Sequence, residues 1–437
     1  MKKIFGMMMV WAAALAASGA MTAKVAWTTR WPWNPTVDID VELVGGEKCD
    51  LAMVANFTTN GIAVTVDLEH AAGVTGDFCE LAPGYHHFAW NPAAAGLEVT
   101  KLENVTFTAT PVENALVARK WLVLDVITGE WEYRAEEPEG GWNTVEYKRT
   151  KMVFSRIPAG TFNYGMSETD RAFLDAAVPG KTTTVVPSAE VTIAHDYYLA
   201  IFKLTYGQMY RFKDATNTSG DIRPYLDNND AFYIDFRGTN SEDAAGIDWP
   251  STRFRVADDS FLAGFRRLTS NRLMIDFPTS AQWERAARGG VDTFWYNGGT
   301  VDNTYAECTN LYQQIAYSFM DEGVSNYQTT NVGTKLANAY GLYDTLGMRP
   351  EWVLDWYVYS NTMVDSPVDP VGPVPNSTRK SRLSRGHHNA SGNGLANFTA
   401  ASLVTVGEDL KHQANFQQAI RLAIHLQPPR SFGGKWE

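Results

Sequence analysis

The 437-residue sequence has few cysteines, no excess of positive charge and no long apolar run. Its three cysteines are Cys49, Cys79 and Cys308. The formal net charge is −12, which argues against a nucleic-acid partner because such a partner requires a basic surface. The apolar run at 4–17 is too short for a membrane-spanning helix. Helix-period stretches are few and short, so strands and irregular structure are expected to dominate.

The N-terminal segment has the pattern of a signal peptide. Lys2 and Lys3 precede the apolar run, and small residues suitable for cleavage follow it, so residues 1–23 are expected to be removed on export. The mature protein is then expected to be periplasmic or secreted. In such an oxidising compartment Cys49 and Cys79 either form a disulfide or remain two buried thiols, and both alternatives stay open.

Two domains are predicted after this segment. Residues 24–134 are expected to form a β-sandwich-like domain, because runs such as 37–43 alternate apolar and polar side chains. The acidic stretch 135–151 contains two adjacent glycines and is predicted to be a linker to a second domain at 152–437. The aromatic and proline-rich segment 31–35 is expected to pack at an edge of the sandwich, with a stacking surface for a sugar or a partner as the alternative.

Residues 338–357 are the most information-dense stretch of the chain. Glycines mark two turns there. Residues 351–359 are mostly apolar on both faces, which predicts a strand buried on both sides. Glu351 and Asp355 interrupt this strand, so each carboxylate must be paired, hydrogen-bonded or bound to a metal.

The stretch resembles the signature of the formylglycine-generating enzyme family, also called sulfatase-modifying factors. That signature usually reads N-x-x-G-L-Y-D-M-x-G-N-V-W-E-W-x-x-D-W-Y. The chain departs from it at Met348, Arg349 and Pro350, where the family has Asn-Val-Trp. The matching positions are Asn338, Gly341, Leu342, Tyr343, Asp344, Gly347, Glu351, Trp352, Asp355, Trp356 and Tyr357.

Other segments resemble the family in the order in which the family has them. Together they cover most of 152–426 and imply a loop-rich relative of the C-type lectin fold, which makes the chain an α+β protein. The family has E-V-T where this chain has 203–205, so Lys203 replaces a Glu. The segments are 152–162 (I-P-A-G-x-F in the family), 278–290 (P-T-E-A-E-W-E-x-A-A-R-G-G), 382–389 (R-V-x-R-G-G-S-W) and 420–423 (G-F-R-x-A).

Two helix starts are predicted from capping-box patterns. Thr205 is followed by Gln208, and Thr279 is followed by Gln282. In each pair the hydroxyl can accept from the Gln amide while the Gln side chain reaches back. Trp283 then begins a stripe with two alanines that is expected to be buried.

The resemblance implies a chemistry for which this sequence lacks the residues. Family enzymes oxidise a sulfatase cysteine to formylglycine with two cysteines that hold Cu(I) shortly beyond the R-G-G-S motif. Counting on from Arg385 without gaps places that pair near Ser391 and Ala396, and no cysteine follows Cys308. A hydroxyl cannot replace a thiolate as a soft ligand or a redox group. Copper is therefore not expected, and no catalytic residue is assigned.

Structural calcium is the cofactor that the resemblance implies. The segment 308–312 resembles the stretch where family members supply a side-chain and a main-chain oxygen, here Asn310 and Leu311. Asp321 or Asn326 is a candidate for a further oxygen, since calcium needs several hard ligands. An asparagine that is satisfied at the surface without metal is the alternative.

Two further positions bear on metals. A second calcium site of the family uses the Asn that is Met348 here, although Glu351 remains. His387 and His388 stand where the family has Gly-Ser, and imidazole can ligate copper, iron or zinc. Adjacent strand residues point to opposite faces, so one site rarely uses both side chains. Loop packing or solvent exposure is the alternative for these histidines.

Three hypotheses for the function follow. The first is an exported, non-catalytic binding or scaffolding protein with a groove for a protein, peptide or glycan. The second is a diverged family enzyme with a transition metal at His387 or His388. The third is formylglycine generation with unusual residues. The expected groove residues are Trp283, Trp352, Trp356, Arg385, His387, His388, Ser391 and Arg421.

Overall fold

Contacts divide the chain in this computed structural model into two units. Unit 1 comprises Met1–Lys120 and Arg266–Met274, and unit 2 comprises Trp121–Phe265 and Ile275–Glu437. The structure describes residues 20–31, 33–98, 101–169, 188–215, 260–293, 331–357, 366–372, 381–386, 403–406 and 418–427, with short pieces at 172, 176, 233–234, 256, 258 and 295–297. The predicted signal segment therefore lies almost wholly outside the described residues.

Unit 1 contains two antiparallel sheets, in the orders β1-β2-β6-β5 and β4-β3-β7. Both sheets contribute to one apolar core that includes Ile39, Met53 and Trp90. Side chains of β2 alternate between buried and more exposed positions, as the sequence pattern predicts. The elements are β1 (Thr22–Thr29), β2 (Val37–Val44), β3 (Asp50–Thr59), β4 (Ile62–Asp67), β5 (Val74–Thr75), β6 (Gly84–Trp90), a 3₁₀ turn (Pro92–Ala95), β7 (Glu103–Val112) and α1 (Ala115–Ala118).

Two polar features lie buried in unit 1. The Arg119 guanidinium donates to both carboxylate oxygens of Glu69, at 3.0 and 2.9 Å, and to Asp50 at 3.4 Å. Cys49 and Cys79 are both buried and no disulfide joins them, so the structure shows the thiol alternative. Burial, reinforced by Asp50, raises the pKa of the Cys49 thiol to about 11, which keeps it protonated and unreactive near neutral pH.

The expectation that segment 31–35 packs against the sandwich is wrong for its tryptophans. Trp33 is 80% exposed and Trp31 is 45% exposed. They lie in a turn between β1 and β2 that is closed by hydrogen bonds from the Trp33 and Asn34 amides to the Arg30 carbonyl. Because this turn extends beyond the paired residues of both strands, its rings lie outside the core of unit 1.

Unit 2 combines many short strands with a few short helices, which confirms the α+β class. Its sheets have the orders β15-β20-β13-β10-β8-β9, β14-β19-β16-β17-β18 and β11-β12. The elements are β8 (Trp121–Asp125), β9 (Trp131–Arg134), α2 (Val145–Arg149), β10 (Lys151–Ile157), β11 (Gly160–Tyr164), β12 (Ala189–Ile193), β13 (Tyr197–Ala200), α3 (Tyr206–Ala215), β14 (Tyr233–Ile234), α4 (Phe261–Leu268, whose last three residues belong to unit 1), β15 (Ile275–Asp276), α5 (Ser280–Arg288), β16 (Glu351–Tyr357), β17 (Ser381–Arg385), β18 (Leu403–Val406), β19 (Gln418–Ala419) and β20 (Ala423–His425).

The start of unit 2 differs from the predicted domain boundary after Arg134. Strands β8 and β9 hydrogen-bond into the sheet of β10, with Trp121 opposite Ser155, and therefore belong to unit 2. The expected linker 135–151 carries α2 and a buried Trp142. The Trp142 ring packs edge-on against Trp121, with 5.6 Å between the ring centroids. An aromatic anchor of this kind fixes the segment in the unit 2 core.

Both predicted capping boxes are present. The Gln208 amide donates to the Thr205 hydroxyl at 3.1 Å and the Gln208 side chain accepts from the Thr205 amide at 3.0 Å. The same reciprocal bonds join Thr279 and Gln282 at the start of α5. Among the described residues, no helix is long and apolar enough to cross a bilayer.

Candidate functional site

A cluster of buried charges surrounds the signature strand β16. Glu351 lies at its first residue and is fully buried. Its Oε1 accepts from the Lys203 ammonium and, at 2.9 Å, from Arg421 Nη2. Its Oε2 accepts from Arg421 Nε at 2.9 Å and from Trp283 Nε1 at 2.5 Å. Both carboxylate oxygens are therefore engaged by nitrogen donors, as burial of a charge requires.

These contacts determine how the cluster titrates. Burial by itself raises the pKa of Glu351, but Arg421 and Lys203 outweigh it and hold the pKa below its ordinary value. Burial lowers the pKa of Lys203, against the opposing effect of Glu351. The ionised carboxylate is thus favoured at neutral pH because two cations lie against it.

Arg421 connects distant parts of unit 2. Its Nη1 donates to the carbonyls of Ala200 and Ile201, both at 2.9 Å. Its Nη2 donates to the Tyr343 carbonyl at 2.7 Å as well as to Glu351. One guanidinium therefore ties the end of β13, the signature loop and β16 together, using the fixed fork of donors that only arginine provides.

A second buried cluster is centred on Glu284 in α5. Its Oε1 accepts from the Gly165 amide at 2.8 Å and from Arg288 at 2.7 and 2.8 Å. Its Oε2 accepts from Arg385 Nη2. The Arg385 guanidinium also lies over the Trp283 ring, 5.3 Å from its centroid. Arg385 is thus held by a carboxylate and an aromatic face inside the protein.

Asp355 accepts a hydrogen bond from a backbone amide at the start of helix α5. Its Oδ2 accepts from the Ser280 amide at 2.6 Å. A carboxylate at a helix N-terminus is favourable because the amides there have no partner within the helix. Together with the contacts of Glu351, this confirms the expectation that both carboxylates of the strand are paired or hydrogen-bonded.

Asn338, the first residue of the signature, holds the other end of α5. Its side-chain amide donates to the carbonyls of Ala286 and Ala287, at 2.7 and 3.2 Å. Its side-chain oxygen accepts from the amides of Tyr340 and Leu342, both at 3.0 Å. The asparagine thus closes its own loop and satisfies the last carbonyls of the helix.

Replacing Asn338 with alanine is expected to destabilise unit 2 by roughly 1–3 kcal/mol, because buried carbonyl and amide groups lose their partners. Urea unfolding followed by hydrogen exchange of peptides from unit 2 measures the change. Asn338→Asp is the matched variant, since it keeps the acceptor but loses the donors to the helix. An Asn338→Ala protein as stable as the parent would contradict this role.

The structure places four of the expected groove residues inside the protein. Trp283, Arg385 and Arg421 are fully buried and Trp352 is 3% exposed, so these four side chains pack in the interior and do not line an open groove. For Trp356 only the backbone position in β16 is described. His387, His388 and Ser391 lie outside the described residues.

Of the expected metal ligands, three lie outside the described residues and one lies inside them. Asn310, Leu311 and Asp321 lie outside the described residues, so that calcium site stays a prediction. Glu351 is described, and its oxygens are occupied by nitrogen donors. The described ranges contain no group of three or more His, Cys, Asp or Glu side chains arranged to hold a metal. The pairing of Lys203 with Glu351 was not predicted. The sequence did carry a signal for it, because Lys203 stands where the family has a Glu.

Comparison with known families decides the classification. The family described as sulfatase-modifying factor enzyme 1-like domain matches residues 142–417, well over half of the 437 residues. The chain belongs to this family. The resemblance seen in the sequence is thereby confirmed, and the family match begins at Trp142, the buried aromatic residue described above.

Individual relatives match shorter parts of this sulfatase-modifying-factor-like chain. A formylglycine-generating enzyme of Thermomonospora curvata is 34% identical over 106 residues, which are 23% of this chain and 35% of that protein. A serine/threonine-protein kinase pkn1 of Chlamydia pneumoniae is 33% identical over 99 residues, 22% of this chain and 14% of that protein. The chain thus spans about a third or less of these relatives' lengths.

A solved structure, Treponema denticola variable protein 1, is 18% identical and aligns with a TM-score of 0.36. The alignment covers 63% of this chain and 95% of that structure.

Proposed function

We propose that this chain is an exported, non-catalytic binding or scaffolding member of the sulfatase-modifying-factor family. One observation carries the proposal. The sequence has no cysteine after Cys308, and the positions expected for the copper pair are Ser391 and Ala396. The thiolates required both to hold Cu(I) and to undergo oxidation are therefore absent from that segment.

The internal contacts of the family's signature residues support the proposal. Glu351, Arg385 and Arg421 are fully buried and are engaged by other protein groups. These contacts stabilise the fold whether or not a reaction takes place. Retention of the signature is therefore accounted for by packing and pairing inside unit 2, without a requirement for catalysis.

Export is the second part of the proposal and rests on the pattern of residues 1–23. Expression of the full chain in a bacterium, followed by separation of periplasm and cytoplasm, tests it. We expect the protein in the periplasmic or extracellular fraction, with a mass lowered by the loss of the segment. Full-length protein that remains in the cytoplasm would contradict export.

The resemblance to formylglycine-generating enzymes supplies the substrate for the catalytic test, a sulfatase-type cysteine peptide. Purified full-length protein is incubated in air with Cu(I) and a peptide containing Cys-x-Pro-x-Arg, and a hydrazide reagent traps any aldehyde. We expect the peptide to keep its mass. The Thermomonospora curvata relative serves as the positive control, and a peptide with Ser in place of Cys serves as the negative control.

The possible results separate the hypotheses. A copper-dependent aldehyde on the Cys peptide alone would refute a non-catalytic role and favour a family enzyme with unusual residues. Binding of the peptide without conversion, measured by calorimetry, would support a binding role and identify a peptide as the ligand class. The comparison requires only that the protein be folded, which circular dichroism verifies.

A further inference from the structure

The environment of Glu351 bears on the calcium that the family resemblance implies. Calcium takes several hard oxygen ligands, among them carboxylates and main-chain carbonyls. Two such groups face each other here, the Glu351 carboxylate and the Arg349 carbonyl. The Lys203 ammonium donates to both, at 3.0 Å to the carbonyl. Lys203 is fully buried, so this contact is internal to unit 2.

The side chain next to Arg349 is apolar. Met348 is fully buried in a cluster with Trp121, Trp142 and Phe202. A thioether is a soft ligand and does not suit calcium. The second carboxylate oxygen of Glu351 is engaged by Arg421 and Trp283. With Lys203 in place, the oxygens of Glu351 and the Arg349 carbonyl are therefore already engaged by nitrogen donors, which does not fit a calcium ion.

The charge balance leads to the same result. Lys203 and Arg421 supply two positive charges, and Glu351 supplies one negative charge. Asp344 is a further buried carboxylate that acts on both cations, and burial raises its pKa above the ordinary value. Even with Asp344 ionised the cluster is only neutral. A divalent ion would add two positive charges to a desolvated site in which these described carboxylates are already balanced by Lys203 and Arg421.

We infer that the Lys203 ammonium is the resident cation of this centre and keeps it free of divalent metal. The ammonium bridges a carboxylate and a carbonyl that a metal ion would otherwise join. This inference does not depend on whether the protein is catalytic, nor on the calcium site predicted at Asn310.

Thermal unfolding of three full-length proteins tests the inference. The background is Asn310→Ala, which removes a ligand of the other predicted calcium site. The second protein adds Lys203→Met, and the third adds Lys203→Glu, which restores the carboxylate of the family. Each is unfolded with EDTA and with saturating calcium, because a ligand that binds only the folded state raises the midpoint.

We expect calcium to leave the unfolding midpoint of the background protein unchanged. Lys203→Met is expected to have a lower midpoint that calcium does not change. The midpoint of Lys203→Glu is expected to rise when calcium is added. Terbium provides a measurement that needs no Lys203 variant. The Trp283 indole contacts Glu351, so terbium at this carboxylate would show tryptophan-sensitised emission. Two results would overturn the inference. One is a rise of the background protein's unfolding midpoint with calcium, accompanied by terbium emission that calcium abolishes. The other is a folded Lys203→Glu protein whose unfolding midpoint calcium does not change.

Discussion

Replacing Arg421 with methionine is expected to destabilise unit 2 by about 3–5 kcal/mol, the effect of removing one partner from a buried ion pair. The substitution leaves Glu351 with Lys203 as its only cation in the described contacts. It also removes the donors to the carbonyls of Ala200, Ile201 and Tyr343. Methionine retains much of the side-chain volume, so the loss of charge and of hydrogen bonds dominates the result.

Arg134→Met is the matched control for Arg421→Met. Arg134 pairs with Glu132, but both side chains are partly exposed, at 34% and 53%. An exposed pair contributes about 0–1 kcal/mol. Urea unfolding with hydrogen exchange of unit 2 peptides measures both proteins. Equal effects of the two substitutions would contradict the central position of Arg421.

The stability of the parent and of Arg421→Met, measured over a pH series, gives a second test of the role of Arg421. Arg421 and Lys203 hold the pKa of Glu351 below its ordinary value, so the stability from ionised Glu351 is complete above the unfolded-state pKa. It is lost as the pH falls through the folded-state value. We expect the difference between parent and variant to shrink below about pH 4.3, the ordinary glutamate pKa. A difference that is constant with pH would contradict an electrostatic role.

Replacing Trp283 with alanine is expected to destabilise unit 2 by about 3–5 kcal/mol, the usual range for deleting a buried tryptophan. The ring is fully buried, donates to Glu351 and lies under the Arg385 guanidinium. Trp283→Phe separates these contributions, because it keeps an aromatic face and most of the packing but removes the N–H donor. We expect Trp283→Phe to lose less stability than Trp283→Ala.

Trp33→Ala is the control for the loss of a tryptophan. Trp33 lies in unit 1 and is 80% exposed, so its replacement is expected to change stability by no more than about 0.5 kcal/mol. The unfolding midpoint of each unit is followed by hydrogen exchange. A Trp283→Ala protein as stable as Trp33→Ala would show that the ring contributes little to the core of unit 2.

Local features of the fold could be predicted from the sequence. Alternation predicted β2, and the capping boxes predicted the starts of α3 and α5, because each depends on residues a few positions apart. The signature predicted that Glu351 and Asp355 would be satisfied, since a strand buried on both sides has no water for a carboxylate. The family motifs predicted the α+β fold of unit 2.

Contacts between distant segments could not be predicted. Lys203 and Arg421 lie 148 and 70 residues from Glu351 along the chain, and neither pairing has a local pattern. For the same reason Trp283 and Arg385 were assigned to a groove, although the structure buries both. A motif shared with a family indicates that residues belong to its core region, but it does not distinguish a side chain that pairs internally from one that faces a ligand.

The copper content of the purified full-length protein tests the central claim most directly. The protein is loaded with Cu(I) under reducing conditions, dialysed against a competing chelator and examined by elemental analysis. A chain that has lost the thiolate pair is expected to retain far less than one copper per molecule. One tightly held copper per molecule, lost on replacing His387 or His388 with alanine, would contradict a non-catalytic scaffold and establish a different metal centre.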